Sequence, residues 1–138
     1  MYKEFDAYLS GYFTEGYWYD EAVPIAQDML LRFSQHDWIA LCDEALLKSI
    51  DWQKRLAYCL GNGTSEDELK ILLVLLDSSD DKELFETCVD SLRSFTTPES
   101  KQMILNTPFL IDRVKESILK AGVVTKKVLE DFLIKVSK

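Results

Sequence analysis

The chain has a single histidine, few glycines and prolines, and no glycine-rich phosphate loop. One imidazole, His36, removes most catalytic schemes that need a histidine partner, and no Gly-x-Ser-x-Gly turn is present to expose a nucleophilic serine. No apolar run is long enough to span a bilayer, and "MYKEFDAYLSGYF" lacks the basic start and apolar core of a signal peptide. We therefore expect a cytoplasmic protein that is not an enzyme and does not bind membranes.

Cysteine is also scarce, and the acidic residues do not follow a metal-binding pattern. Cys42, Cys59 and Cys88 form no Cys-x-x-Cys pair, so we expect all three to be small buried residues in a reducing compartment. The acidic run "DSSDDKE" at 77–83 lacks the Asp-x-Asp-x-Asp-Gly spacing and the closing glutamate of a calcium loop. Such acids favour a role at the start of a helix instead. The sequence predicts no metal, no cofactor and no catalytic residues.

Apolar residues, by contrast, recur at helical spacing along almost the whole chain. The break "GNGTSEDE" at 61–68 offers a glycine for a left-handed C-cap and a Ser/Thr N-cap, and "TTPES" offers Thr97 as an N-cap followed by Pro98. The exposed first turn "SQHDW" places His36 beside a Ser34 cap. The predicted fold class is all-α, with helices near 3–11, 20–33, 35–48, 51–60, 65–77, 80–94, 98–106, 108–121 and 125–136.

The helix breaks recur in register. When residues 55–73 are aligned with residues 87–105, Leu60 pairs with Leu92. The same alignment also pairs Leu56 with Cys88, so apolar positions meet apolar positions. A period in the low thirties built from two short helices is the signature of an α-solenoid.

Neighbouring copies are weaker. A similar shift toward the N-terminus aligns Ser34 with Ser65. A fourth copy of the repeat would make Thr125 the cap of the last helix. We expect one helical-repeat domain over residues 1–138. Its predicted parts are an N-terminal cap region at 1–19, the repeats at 20–121 and a C-terminal capping helix at 122–138.

The segments "DWQKRLAYCLGNG" and "LLVLLDSSDDKELFETCVDSLRSF" resemble degenerate HEAT-type repeats. In such repeats a helix that ends in an Ala-x-x-Leu-Gly-like pattern is followed by a second helix and an Asp-rich turn. The resemblance covers about residues 20–121 and implies a short, irregular α-solenoid of antiparallel helix pairs, with about eight or nine helices.

Charge is distributed unevenly along the chain. Residues 1–100 carry a net charge of −12 and residues 101–138 a net charge of +4. An acidic surface of this size repels phosphate backbones, so we expect no direct nucleic-acid binding and a basic protein as the natural partner. The alternative is that the acids only keep the protein soluble.

The stretch "YFTEGYWYDE" at 12–21 contains five aromatic and three acidic residues. The first repeat of a solenoid has no upstream neighbour, so its outer face needs a cap, and rings such as Phe13 and Trp18 are efficient sealing groups. Tyrosine and tryptophan are also enriched at binding hot spots. The stretch is therefore either a cap alone or a cap that also presents part of an interface.

A second candidate surface lies on the predicted helix 80–94, where Glu83, Glu86 and Asp90 share one face. Apart from Arg93, no basic residue is placed four positions after these acids to offset their charges, so the stripe is either solvated or reserved for a cationic partner. The candidate partner-binding residues are Tyr17, Trp18, Tyr19, Asp20, Glu21, Asp51, Asp80, Asp81, Glu83, Glu86 and Asp90.

Short, acidic, mostly helical chains of this kind are similar in general character to bacterial immunity proteins of contact-dependent growth inhibition and polymorphic toxin systems. That resemblance implies a cognate toxin, typically a basic nuclease, whose active site would be occluded. One alternative is a HEAT-like adaptor or scaffold that binds a peptide or protein partner without a toxin. Others are a carboxylate-based hydrolase, and nucleic-acid binding through Lys120, Lys126 and Lys127.

Overall fold

A computed structural model describes residues 1–61 and 65–137, which contain helices and no strand. A π-helical turn, Trp18–Ala22, joins α2 to α3, and a 3-10 turn, Ala45–Leu47, follows α4. If α2, the π turn and α3 are counted as one continuous helix, the described residues form nine helices, so the predicted all-α class is confirmed. The helices are α1 (Tyr2–Leu9), α2 (Glu15–Tyr17), α3 (Val23–Leu31), α4 (Gln35–Glu44), α5 (Ile50–Leu60), α6 (Glu66–Ser78), α7 (Lys82–Leu92), α8 (Pro98–Leu105), α9 (Leu110–Lys120) and α10 (Val123–Ser137).

Helix starts repeat with the predicted period. The side chains of Ser34, Ser65 and Thr97 cap α4, α6 and α8, each by accepting a backbone N–H three positions further on. Ser49 and Asp81 cap α5 and α7 in the same way. Within each set, the spacing of the caps is the shift that aligns one repeat with the next. The local signals therefore start each helix at a matching point of the repeat, and each cap contributes about 1 kcal/mol.

The helices stack in two layers. In one layer α3, α5, α7 and α10 lie side by side in that order; in the other, α6 packs on α5 and α7, with α8 beside it. The paired positions Leu56 and Cys88, and Leu60 and Leu92, are all buried in the core between the layers. Consecutive helices joined by short turns thus form a short, irregular α-solenoid. No helix in residues 1–61 and 65–137 is both long and apolar enough to cross a membrane.

The end of α5 contacts α7 closely at Gly61. Its φ is −73°, so Gly61 itself does not form the left-handed C-cap that a glycine of this break was predicted to supply. The glycine is needed for space, because a Cβ atom there would lie 2.7 Å from the Ser91 hydroxyl oxygen. That hydroxyl donates to the carbonyl of Ala57 at 2.6 Å. Gly63 and Thr64, which belong to the same predicted break, lie outside the described residues.

Two other predictions need correction. Helix α10 begins at Val123, so Thr125 lies inside the helix and is not its cap. Cys59 and Cys88 are buried, but Cys42 is exposed, because α4 lies at the edge of the structure and one side of it faces solvent.

The first turn of α4 is capped by Ser34, as the sequence predicted for the turn that contains His36. His36 is exposed, and Ser34 and Asp37 form a capping box beside it. The Asp37 carboxylate also accepts the backbone N–H of Tyr2 at 3.0 Å, which joins α1 to α4. Hydrogen bonds from the backbone of Ser34 and then of Tyr2 lower the pKa of Asp37 to about 2.

Candidate partner-binding groove

The N-terminal aromatic stretch closes the end of the molecule. Trp18 is buried and Phe13 is half-buried, and the guanidinium of Arg55 from α5 lies 5.0 Å from the Phe13 ring centroid and 5.5 Å from that of Trp18. Arg55 also donates to the carbonyls of Leu9 and Gly11. Trp18, one of the predicted contact residues, therefore packs into the core, and 9% of its surface stays exposed.

Tyr17 and Tyr19 remain available at the surface, with 46% and 49% of their area exposed. Tyr17 stacks on Phe13 at 5.7 Å between ring centroids, whereas Tyr19 makes an edge contact with Tyr58 of α5 at 5.2 Å. Burial raises the pKa of Tyr58, and Tyr19 and Asp90 nearby raise it further. Tyr19 and Tyr58 thus form an exposed aromatic contact between the π turn and α5, and Tyr58 lies near Asp90 of α7.

Two adjoining hollows follow the exposed side of α7. The first, of about 530 Å³, is lined by Gln27, Tyr58, Asp90, Arg93 and Lys135 among others. The second, of about 280 Å³, lies between α7 and α10 and shares Asp90 with the first. We call the two hollows together the α7 groove. The walls of the second hollow include Glu83, Glu86, Thr87, Val124 and Val128.

The acidic stripe of α7 is partly neutralised by neighbouring helices. The Nζ atom of Lys54 in α5 lies 2.8 Å from the Glu83 carboxylate. Reading α7 as a single helix missed this lysine, because it belongs to another helix. Asp90 is paired with Arg93, which also reaches Asp131 of α10 at 2.9 Å. Glu86 makes no ion pair with any residue that the structure describes. The stripe therefore presents one uncompensated carboxylate between two compensated ones.

The remaining predicted acids fall in different places. Asp20 and Glu21 are exposed in the π turn, and Asp51 is exposed in the first turn of α5. Asp80 and Asp81 line a separate hollow beside Ile50 and Leu46. Asp81 is also the N-cap of α7 and accepts the Leu84 N–H at 2.9 Å. Asp81 therefore has a structural role as a helix cap, and it also lies 3.9 Å from Lys54.

Tyr58 and Gln27 are groove residues that the sequence reading missed, although the repeat spacing contained the signal. Applied to exposed positions, the shifts that align the core residues of the repeats also place Gln27, Tyr58 and Asp90 at equivalent positions. All three line the same hollow. The same shifts align a second row, made of Asp20, Asp51 and Glu83.

No family model, no curated protein and no solved structure matches this chain. Exposed tyrosines beside carboxylates, on helices held by buried apolar residues, form a rigid surface that can bind cationic and apolar groups together.

Proposed function

We propose that the protein is a cytoplasmic immunity protein that binds a cognate basic toxin and occludes its active site. The observation that carries the proposal is that Tyr19, Tyr58 and Asp90 lie together, which joins the N-terminal aromatic surface to the acidic side of α7. Acids without aromatic anchors would give only weak, salt-sensitive attraction. Aromatic residues beside them provide the contact area that slows dissociation.

The mechanism follows from the charge of the proposed target. A nuclease holds its substrate's phosphates with lysine and arginine side chains. The net charge of −8 on this chain attracts such a surface, and carboxylates such as Glu86 would then pair with the cations that otherwise bind phosphate. Catalytic chemistry is not required from an inhibitor of this kind, because covering the substrate site is enough.

Capture of a peptide by an adaptor is the second candidate function. The observation in its favour is the pair of valines, Val124 and Val128, on the wall of the α7 groove opposite the acids. An adaptor that relied on this apolar wall would keep its partner at high salt. The partner of an immunity protein would instead associate more slowly as salt increases.

Co-expression in bacteria tests the proposal. The partner to use is the C-terminal domain encoded directly upstream of this gene, which we expect to be toxic alone and harmless when the protein is present. The double variant Glu83→Lys/Glu86→Lys should protect poorly. A matched control, Glu116→Lys/Glu130→Lys, changes two exposed acids outside the groove by the same charge and should still protect. An upstream domain that is not toxic, or equal protection by both variants, would contradict the proposal.

A further inference from the structure

The half of the α7 groove between α7 and α10 has two chemically different walls. On the α7 side Glu83 and Glu86 project into it, and on the α10 side Val124 and Val128 do. Val124 is 79% exposed. The hollow has a volume of about 280 Å³. Its shape and walls suit a segment that is apolar on one side and cationic on the other.

The length of the α7 wall matches one face of a short helix. From Glu83 to Asp90 the α7 wall rises roughly 10 Å, or about two helical turns. Val124 and Val128 are spaced at i and i+4, so they form an apolar ridge along one turn of α10. A helix lying between the walls would place apolar residues at i and i+4 on the valines and its basic flank against α7.

The ion pairs around the hollow decide where a cation would bind. Glu83 is held by Lys54 and Asp90 by Arg93, so Glu86 is the carboxylate left without a described ion pair. Beyond Asp90, the described walls of the adjoining hollow carry no further carboxylate, and the charges of Arg93 and Lys135 there are already paired with Asp90 and Asp131. Charge complementarity therefore favours a single lysine or arginine near the middle of the bound segment.

We propose that this half of the α7 groove binds an amphipathic helical segment of the protein's partner. Leucine-like residues of the segment pack on Val124 and Val128, and a lysine or arginine on its flank pairs with Glu86. The proposal rests on the immunity function only in assigning this segment to the toxin, because binding itself can be measured without any toxin.

A synthetic helical peptide of roughly 15 residues, long enough to be partly helical in water, serves as the probe. It carries leucines at i and i+4 spacing and lysines along one flank of the leucine stripe. Its binding to the full chain is measured by fluorescence anisotropy at low salt. Glu86→Lys should weaken binding by about tenfold and Val124→Ser by about threefold. Glu116→Lys, with the same change of charge outside the groove, should leave binding within about twofold of the unmodified protein.

Two results would overturn the proposal. One is equal weakening by Glu86→Lys and Glu116→Lys, which would mean that only overall charge matters. The other is equal binding of a peptide of the same composition whose lysines lie on the face opposite the leucines. Groove-dependent peptide binding without protection in co-expression would overturn the immunity function and support the groove. Protection with groove-independent peptide binding would do the reverse.

Discussion

At the scale of single residues, Glu68 stands out as a buried carboxyl group. It lies in the first turn of α6, only 6% exposed, and its Oε2 oxygen has no hydrogen-bond partner among the described residues. Burial, with a smaller effect of Asp67, raises the pKa of Glu68 to about 7. The folded state therefore keeps this proton to a higher pH than the unfolded state does.

This difference makes stability depend on pH. The free energy of unfolding should fall as pH rises from about 4.5 to about 7. Over this range the unfolded chain releases the Glu68 proton, whereas the folded chain keeps it, because releasing it would leave a buried charge. Glu68→Gln should remove up to roughly 3 kcal/mol of that decrease. Urea unfolding across this pH range measures it, with Glu66→Gln as the exposed control in the same helical turn. Identical pH profiles for the two variants would contradict the buried state of Glu68.

A second residue-scale prediction concerns Gly61. A Cβ atom there would lie 2.7 Å from the Ser91 hydroxyl oxygen and 3.2 Å from the Ser91 Cα. Gly61→Ala should therefore lower the free energy of unfolding by about 1–3 kcal/mol through overpacking between α5 and α7. Gly16→Ala is the control, since a Cβ at Gly16 meets nothing within 4 Å, and it should be neutral or slightly stabilising. Thermal melts distinguish the two, and equal effects would count against the close approach.

At the scale of helices, core residues and caps should differ in their contribution. Leu60 and Leu92 are fully buried at equivalent positions of α5 and α7. Replacing either with alanine should cost about 2–5 kcal/mol, because a cavity remains in the packed core. Ser65→Ala should cost about 1 kcal/mol, since only the cap of α6 is lost. Chemical denaturation compares them, and equal costs would mean that the assigned register is wrong.

Variants of the aromatic residues in the π turn and in α5 should affect stability and binding differently. Trp18→Ala should cost about 3–5 kcal/mol, because the ring is buried and contacts the guanidinium of Arg55. Tyr58→Ala should leave stability within about 1 kcal/mol and raise the rate of partner dissociation, because the side chain is 41% exposed beside the α7 groove. Melting curves and surface plasmon resonance measure the two effects. Loss of binding without loss of stability in Trp18→Ala would contradict this division.

At the scale of the whole molecule, net charge should control the rate of encounter. Glu83→Lys/Glu86→Lys and Glu116→Lys/Glu130→Lys change the net charge of −8 equally. Only the first pair lies in the α7 groove, so it should lower the association rate more and flatten its salt dependence more. Stopped-flow association across a salt series gives both quantities. If the two double variants behave alike, general attraction explains association and the groove has no special role.

Much of the fold follows from local spacing in the sequence. Helices begin at Ser34, Ser65 and Thr97, at the predicted period. These starts were predictable because an N-cap depends only on the few positions that follow it. The buried pair Leu60 and Leu92 follows from helical periodicity in the same way. The candidate site was less predictable, since Tyr19 and Glu86 were expected there but Tyr58 was not.

The sequence by itself determined the all-α class, the capped starts of α4, α6 and α8 and the register of the repeat, because each depends on neighbours within a few turns of the chain. Only the tertiary structure decided that Lys54 offsets Glu83, that Trp18 is inside while Cys42 is outside, and that Tyr19 touches Tyr58. Those facts depend on which helix lies beside which. Side chains far apart in the sequence meet because the helices stack, and no local pattern contains the distance between them.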